Sequence, residues 1–254
     1  MIARAAAPDG YTRFQLPGAD VVALGDVADA VRHAVGDGSL YGYAAAHPAR
    51  RELRGRGIAY AVPLPDGVTR VVIRHSRHGG LLAPLTGDRF VAPTRAPREL
   101  RTALRLAGAG VETPQVIAYA IYPTGLFRRS DVATREVTGG TDLAALLAVP
   151  HAPGDMRAIL DATAALLRAL EKAGARHPDL NLANVLIVER PDGTRQALVL
   201  DVDRVVFGRA GDRSIGEANV RRLVRSAHKR RAAGVMAASD EDLTTLARVA
   251  GYPA

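Results

Sequence analysis

His177-Pro-Asp179-Leu-Asn-Leu-Ala-Asn184, with Asp201-Val-Asp203-Arg204 seventeen residues beyond Asn184, is the stretch on which the reading of this chain turns. A helical pattern precedes it: over Asp155 to Ala173, Met156, Ile159, Leu160, Leu166, Leu167 and Leu170 form one broad apolar stripe. Behind it, Val185 to Val188 and Ala197 to Val202 flank Pro191-Asp-Gly-Thr194, the composition of a β-hairpin. An Asp with an Asn five residues later, then an Asp at the end of a strand, is a set of oxygen donors with a defined use. Phosphoryl transfer needs a carboxylate to orient the attacking hydroxyl and accept its proton, and hard oxygens for the Mg²⁺ that bridges nucleotide phosphates. On this reading Asp179 is the base, while Asn184 and Asp201 are metal ligands. Asp203 is a second metal or substrate-orienting carboxylate. The bland alternative is that these residues only cap helices and turns.

Upstream, the chain should carry a phosphate-covering loop and a cation. Gly55-Arg-Gly57-Ile-Ala-Tyr60-Ala-Val62 fits a glycine-loop pattern with Tyr60 in place of a third glycine. Ile58 to Val62 and Val68 to Arg74 read as strands joined by the turn-forming Pro63-Leu-Pro-Asp-Gly67. Arg74 closes Val71-Val-Ile-Arg74 and shares a strand face with Val72, so an apolar base contact and a phosphate-facing cation fall together. The cation cannot be Lys, because the two lysines are Lys172 and Lys229. Either Arg74 replaces it or the chain is catalytically impaired. Glu99, on a helix expected over Pro97 to Gly108, is the natural partner for Arg74, or else an exposed first-turn acid. Gly55, Gly57, Val62, Val72, Arg74 and Glu99 thus form the candidate nucleotide contacts.

Further strands are expected over Val116 to Tyr122 and Val132 to Val137, and helices over Thr141 to Ala148, Gly216 to Ala233 and Asp240 to Val249. Residues 1–50 read as irregular, with one short helix over Gly25 to Val35. A β-rich first half and a mainly helical second half holding one hairpin is the order of a two-lobed protein-kinase-like α+β fold. Its divisions are an N-terminal extension at 1–50, an N-lobe at 51–137 and a short C-lobe at 138–254. The 51 residues after Asp203 are too few for the platform on which protein kinases lay a peptide.

Composition narrows the partners. The 254 residues contain no Cys, which excludes a thiol nucleophile and Cys-ligated metal sites, and no run long enough to span a membrane. The first residues lack the apolar run of a secretory signal, so a cytoplasmic location is expected. A formal charge of +8 favours polyanions, but four Phe and no Trp leave few stacking platforms, so nucleic acid is not expected. Arg221, Arg222, Arg225, His228, Lys229, Arg230 and Arg231 lie on one expected helix, either as the solvated side of a core helix or as a surface for anionic lipid.

Several segments together resemble the 3-deoxy-D-manno-octulosonic acid (Kdo) kinase family, in the lipopolysaccharide kinase branch of the protein-kinase-like superfamily. They are Gly55-Arg-Gly57; Ile73-Arg-His75 with Gly79-Gly80-Leu81 and Asp88-Arg-Phe90; Arg98-Glu99; and Asp179-Leu-Asn with Asn184. Asp201-Val-Asp203-Arg204 and Asn219…Leu223…Arg225-Ser…Lys229 complete the set. In that family an Arg in the Ile-Arg-His strand is usual, which favours replacement over impairment at Arg74. The resemblance implies Mg²⁺- and ATP-dependent phosphorylation of a hydroxyl of lipid-linked Kdo, at the inner face of the cytoplasmic membrane of a Gram-negative bacterium. Open alternatives are a kinase of another acceptor (core heptose, a small molecule or a protein) and a non-catalytic pseudokinase or basic binding module.

Overall fold

The computed structural model describes residues 6–36, 38–54, 57–75, 95–124 and 127–252. The chain divides into two compact units, residues 1–101 with 115–136 and residues 102–114 with 137–254.

The first unit is built on a seven-stranded antiparallel sheet in the order β1-β2-β6-β7-β5-β4-β3. Its strands are β1 (Tyr11–Leu16), β2 (Ala19–Leu24), β3 (Arg51–Arg54), β4 (Ile58–Pro63), β5 (Arg70–His75), β6 (Val116–Thr124) and β7 (Phe127–Arg135). The helix expected over Gly25 to Val35 is present as α1 (Ala28–Gly36), but where the rest of the first 50 residues was expected to be irregular they add the β1–β2 hairpin to the sheet edge and a second helix, α2 (Leu40–Ala46). A tight turn through Pro17 and Gly18, with Gly18 at φ +76°, makes that hairpin. Helix α2 packs on β4, β5 and β7. Val31, Leu40 and Ala44 meet Tyr60, Val62, Val71 and Ile73 in one apolar cluster. The α2 N-terminus is tied down by polar contacts as well. The Leu40 N–H donates to the Tyr122 hydroxyl (2.9 Å), and the Tyr41 N–H to buried Asp131 (3.0 Å). Asp131 also accepts from His75 Nδ1 (2.5 Å), over whose ring Tyr41 stacks at 3.7 Å. Burial pushes the Tyr122 hydroxyl far above the usual phenol range, so it stays a neutral donor and acceptor.

The second unit is mainly helical. Helix α5 (Pro153–Lys172) starts with Pro in its first turn and buries Met156, Ile159, Leu160, Leu166, Leu167 and Leu170. Helices α6 (Arg213–Ala232) and α7 (Asp240–Ala250) both pack against it. Asp212 caps α6, and a Ser239–Asp242 capping box opens α7. The expected hairpin is present as β10 (Val185–Glu189) and β11 (Arg195–Val199). The short strand β8 (Thr141–Asp142) joins its edge, so the helix expected over Thr141 to Ala148 is a strand followed by α4 (Leu143–Leu146). Asp142 explains the switch: its carboxylate accepts from the Ala145 N–H and starts α4 only there. Strands β9 (Ala175–Arg176) and β12 (Val206–Phe207) form a separate two-stranded ribbon. Gly174 leads into it at φ +65°, with the carbonyls of Gly208 and Arg209 so close that a Cβ would lie 2.7 Å from each. Only glycine fits there.

Candidate active site

The backbone of the segment from β9 to β10 is held by neutral side chains. The Asp179 carbonyl accepts from both Asn181 Nδ2 and Asn184 Nδ2, each at 2.9 Å. That commits the nitrogen end of Asn184, a buried side chain, and leaves Oδ1 as the end able to take a cation. Asn181 also caps a 3-10 turn over Leu182–Asn184. His177 is 1% exposed, and burial pushes its imidazole below the usual histidine range. Its contacts fit the neutral form: Nδ1 accepts from the Asp179 N–H (3.3 Å), and Nε2 donates to the Leu200 carbonyl (3.1 Å). The Leu200 N–H in turn donates to the Asn184 carbonyl (2.9 Å). The residue before Asp201 is therefore bonded to both ends of the Asp179 loop.

Asp201 follows with φ +54° and ψ +45°, the one described non-glycine residue at positive φ. Asp tolerates this conformation better than most residues, yet it still costs about 1–3 kcal/mol, the kind of outlier that marks functional positions. Immediately after it, a 3-10 turn over Val202–Arg204 brings Arg204 back onto Asp179. The Arg204 guanidinium pairs with Asp179 Oδ2, and Arg222 from α6 stands 3.8 Å from Oδ1.

Helix α6 is anchored to the same loop. Asn219, fully buried, accepts from the His177 N–H (3.0 Å) and donates to the Ala175 carbonyl (2.9 Å). Two helical turns further on, Ser226 Oγ accepts from the Leu182 N–H (3.3 Å). The sequence signal for Asn219 is an amide placed mid-helix beside the apolar Val220, Leu223 and Ala227. Such a residue is a poor helix former and needs a tertiary reason.

In the first unit, Arg74 Nη2 pairs with Glu99 Oε1 at 2.6 Å. Glu99 lies in the first turn of α3 (Ala96–Gly108) and is 4% exposed, so it is not a solvated first-turn acid. Val72 lies on the Arg74 face, as the strand period requires. Val62 does not. It pairs with Val71, is 0% exposed, and belongs to the apolar cluster under α1 and α2 on the opposite face. The residue opposite Val72 is Ala61. The glycine-loop pattern placed the strand one residue out of register, and a one-residue shift turns every side chain to the other face. Gly57 is described at the entry to β4, whereas Gly55, Gly79, Gly80 and the Asp88-Arg-Phe90 segment lie outside the described residues.

Asn184 and Asp201 supply an amide and a carboxylate oxygen. This hard donor set suits Mg²⁺, which is commonly held by one or two protein oxygens with phosphate and water completing its shell. Among the described residues no group of three or more His, Cys, Asp or Glu forms a metal cluster. Two protein oxygens of this kind suit an ion that shares its shell with phosphate.

The carboxylate loop and strand-terminal acid of the second unit, and the Arg–Glu pair of the first, are each features expected of a phosphotransferase on an α+β, kinase-like fold. Comparison with known proteins agrees. The lipopolysaccharide kinase (Kdo/WaaP) family model matches residues 45–249, and the chain belongs to that family. It is similar to the 3-deoxy-D-manno-octulosonic acid kinase of Vibrio parahaemolyticus, 30% identical over 69% of this chain and 71% of the relative. The enzyme of the same name from Stenotrophomonas maltophilia is 32% identical, over 70% and 68% of the two chains. Among solved structures, WaaP in complex with acyl carrier protein shares the fold, with a TM-score of 0.53 and 19% identity over 79% of this chain and 77% of that one.

Proposed function

We propose that this chain transfers the γ-phosphoryl group of ATP to a hydroxyl of lipid-linked Kdo. The supporting observation is the Asp179 loop, in which one backbone carbonyl gathers Asn181 and Asn184 while Asp201 is tethered through Leu200. Asp179 orients the acceptor hydroxyl and takes its proton as the hydroxyl oxygen bonds to the γ-phosphorus and the bond to the β–γ bridging oxygen breaks. Asn184 and Asp201 are the residues that would hold Mg²⁺, which would supply positive charge against that developing on the departing ADP. Arg74, held by Glu99, supplies the phosphate-facing cation in place of lysine, with Gly55, Gly57 and Val72 as further nucleotide contacts. Residues 51–137 and 138–254 serve as the N- and C-lobes, and residues 1–50 as an extension of the first.

No described helix is long and apolar enough to cross a membrane. Arg221, Arg225 and Lys229 recur every fourth residue along α6 and are exposed, a stripe suited to the anionic inner face of the cytoplasmic membrane. Sedimentation with vesicles containing anionic lipid, but not with neutral ones, tests that association.

The deciding experiment is transfer of labelled phosphate from ATP to a Kdo-containing lipid A precursor, beside a heptosylated core and a generic peptide. Transfer to the Kdo acceptor alone is expected. Asp179→Asn should lower kcat by roughly 10²- to 10⁴-fold, the usual worth of a positioned base, while Mg-ATP binding persists. Near-native turnover in that variant, or label on heptose or peptide instead, overturns the assignment.

A further inference from the structure

As the proposed base, Asp179 needs an oxygen directed at the acceptor, yet both of its oxygens face guanidinium groups. Arg204 pairs with Oδ2, and Arg222 stands 3.8 Å from Oδ1, an ionic contact beyond hydrogen-bond reach. Their side chains are 49% and 45% exposed. Pairs this open to water contribute little to stability, so fold maintenance does not explain them. Each guanidinium carries five donors in a planar fork, more than one carboxylate uses, and can hold a second anion while still contacting Asp179.

Their supports are rigid. Arg204 ends the 3-10 turn that begins directly after Asp201. Arg222 lies between Asn219 and Ser226, three residues after one and four before the other, and both bond to the loop that carries Asp179. Helical spacing therefore sets Arg222 on the loop-facing side of α6. Two such cations beside a base are arranged for an acceptor that carries an anion close to its reacting hydroxyl.

We infer that Arg204 and Arg222 bind the acceptor's own carboxylate and so set its hydroxyl against Asp179, making this site selective for sugar acids over neutral sugars. The inference rests on the Kdo kinase reading, since an octulosonic acid carries that carboxylate on the phosphorylated sugar itself.

The test compares the Kdo-containing lipid A precursor with its carboxyl methyl ester, which removes the charge and keeps the hydroxyls. The wild-type protein should lose on the order of 10- to 100-fold in kcat/KM on the ester, the worth of a charge-assisted hydrogen bond. The loss should fall in KM for the acceptor, with KM for ATP unchanged. Arg222→Gln should show the same loss on the acid and little discrimination between acid and ester, and Arg222→Lys should recover part of it. Arg204→Gln should behave like Arg222→Gln, and unchanged melting temperatures are expected for these exposed positions. Equal use of acid and ester by the wild-type protein overturns the inference and leaves the Kdo kinase reading standing. So does full discrimination in both Gln variants. Absence of transfer to either lipid, with Mg-ATP binding intact, overturns the reading and the inference with it.

Discussion

Replacing Asn219 by Leu keeps the branched outline of the side chain, adds bulk and removes both polar ends. The His177 N–H and the Ala175 carbonyl, which Asn219 serves at 3.0 and 2.9 Å, are then left without their partner inside the fold. Asn219 is 0% exposed, so water does not readily take its place. An orphaned buried group costs about 1–3 kcal/mol, so the two together cost about 2–6 kcal/mol. For a chain of this size each kcal/mol lowers the melting temperature by about 2–4 °C, which places the expected drop at about 4–24 °C. Thermal melts followed by far-UV circular dichroism would measure it. Asn219→Asp is the informative companion. It keeps the acceptor for the His177 N–H but sets an oxygen against the Ala175 carbonyl, so it too should melt well below wild type. If Asn219→Leu melts within about 2 °C of the parent, the buried amide is not what fastens α6 to the loop, and the account of the site's rigidity fails with it.

Four further outcomes are expected. Arg74→Met should weaken Mg-ATP binding by roughly tenfold or more in calorimetric titration, and Glu99→Gln should do so to a lesser degree, because charge-assisted contacts dominate there; unchanged affinity in both would remove Arg74 from the nucleotide site. Asp201→Asn retains a side chain that tolerates φ +54°, so the melting temperature should hold while the Mg²⁺ concentration for half-maximal activity rises about tenfold. Gly174→Ala places a Cβ 2.7 Å from two backbone oxygens at φ +65°, and should cost about 2 kcal/mol or more in urea unfolding. The buried neutral imidazole of His177 has its pKa depressed on folding. Its contribution to stability should therefore be complete above about pH 6.5 and be lost as the pH falls below that value. Urea midpoints from pH 7.5 to 5 should show this decline, and a His177→Gln variant should show a shallower one.

What could be read from the sequence was local. The His177–Asn184 loop, the hairpin around Pro191–Thr194 and the stripe of α5 announce themselves through spacing within one or two turns of chain. The β1–β2 hairpin did not, because Arg13 and Asp20, which pair with each other, and the small Ala19 and Ala23 dilute the alternation that marks a strand. Val62 was misplaced for a different reason. A glycine pattern fixes that a turn occurs, but not the residue at which pairing resumes, and the face depends on that single residue. The contacts around Asp179 were beyond local reading altogether. Asn219 meets His177 across 42 residues and Arg204 meets Asp179 across 25, and neither separation leaves a periodic trace. The mid-helix amide and the run of arginines were visible as types, but their partners were not.

The arrangement separates two kinds of side chain by what their loss should do. Phosphoryl transfer leaves little covalent work to the protein, so positioning and electrostatics carry most of the catalysis. Around Asp179 the positioning is done by neutral groups that are largely buried: Asn184, His177 and Asn219, each bonded to a backbone atom. The charges, Arg204 and Arg222, sit at an exposed rim where pairing is cheap to exchange. Substitutions in the neutral set should therefore lower stability and turnover together, because the same unsatisfied bonds that destabilise the unit also release the loop. Substitutions at the rim should raise KM for the acceptor while leaving the melting curve where it was. A rim variant that unfolds early, or a buried-amide variant that melts normally yet has lost turnover, would show that charge and not backbone bonding holds the loop in place.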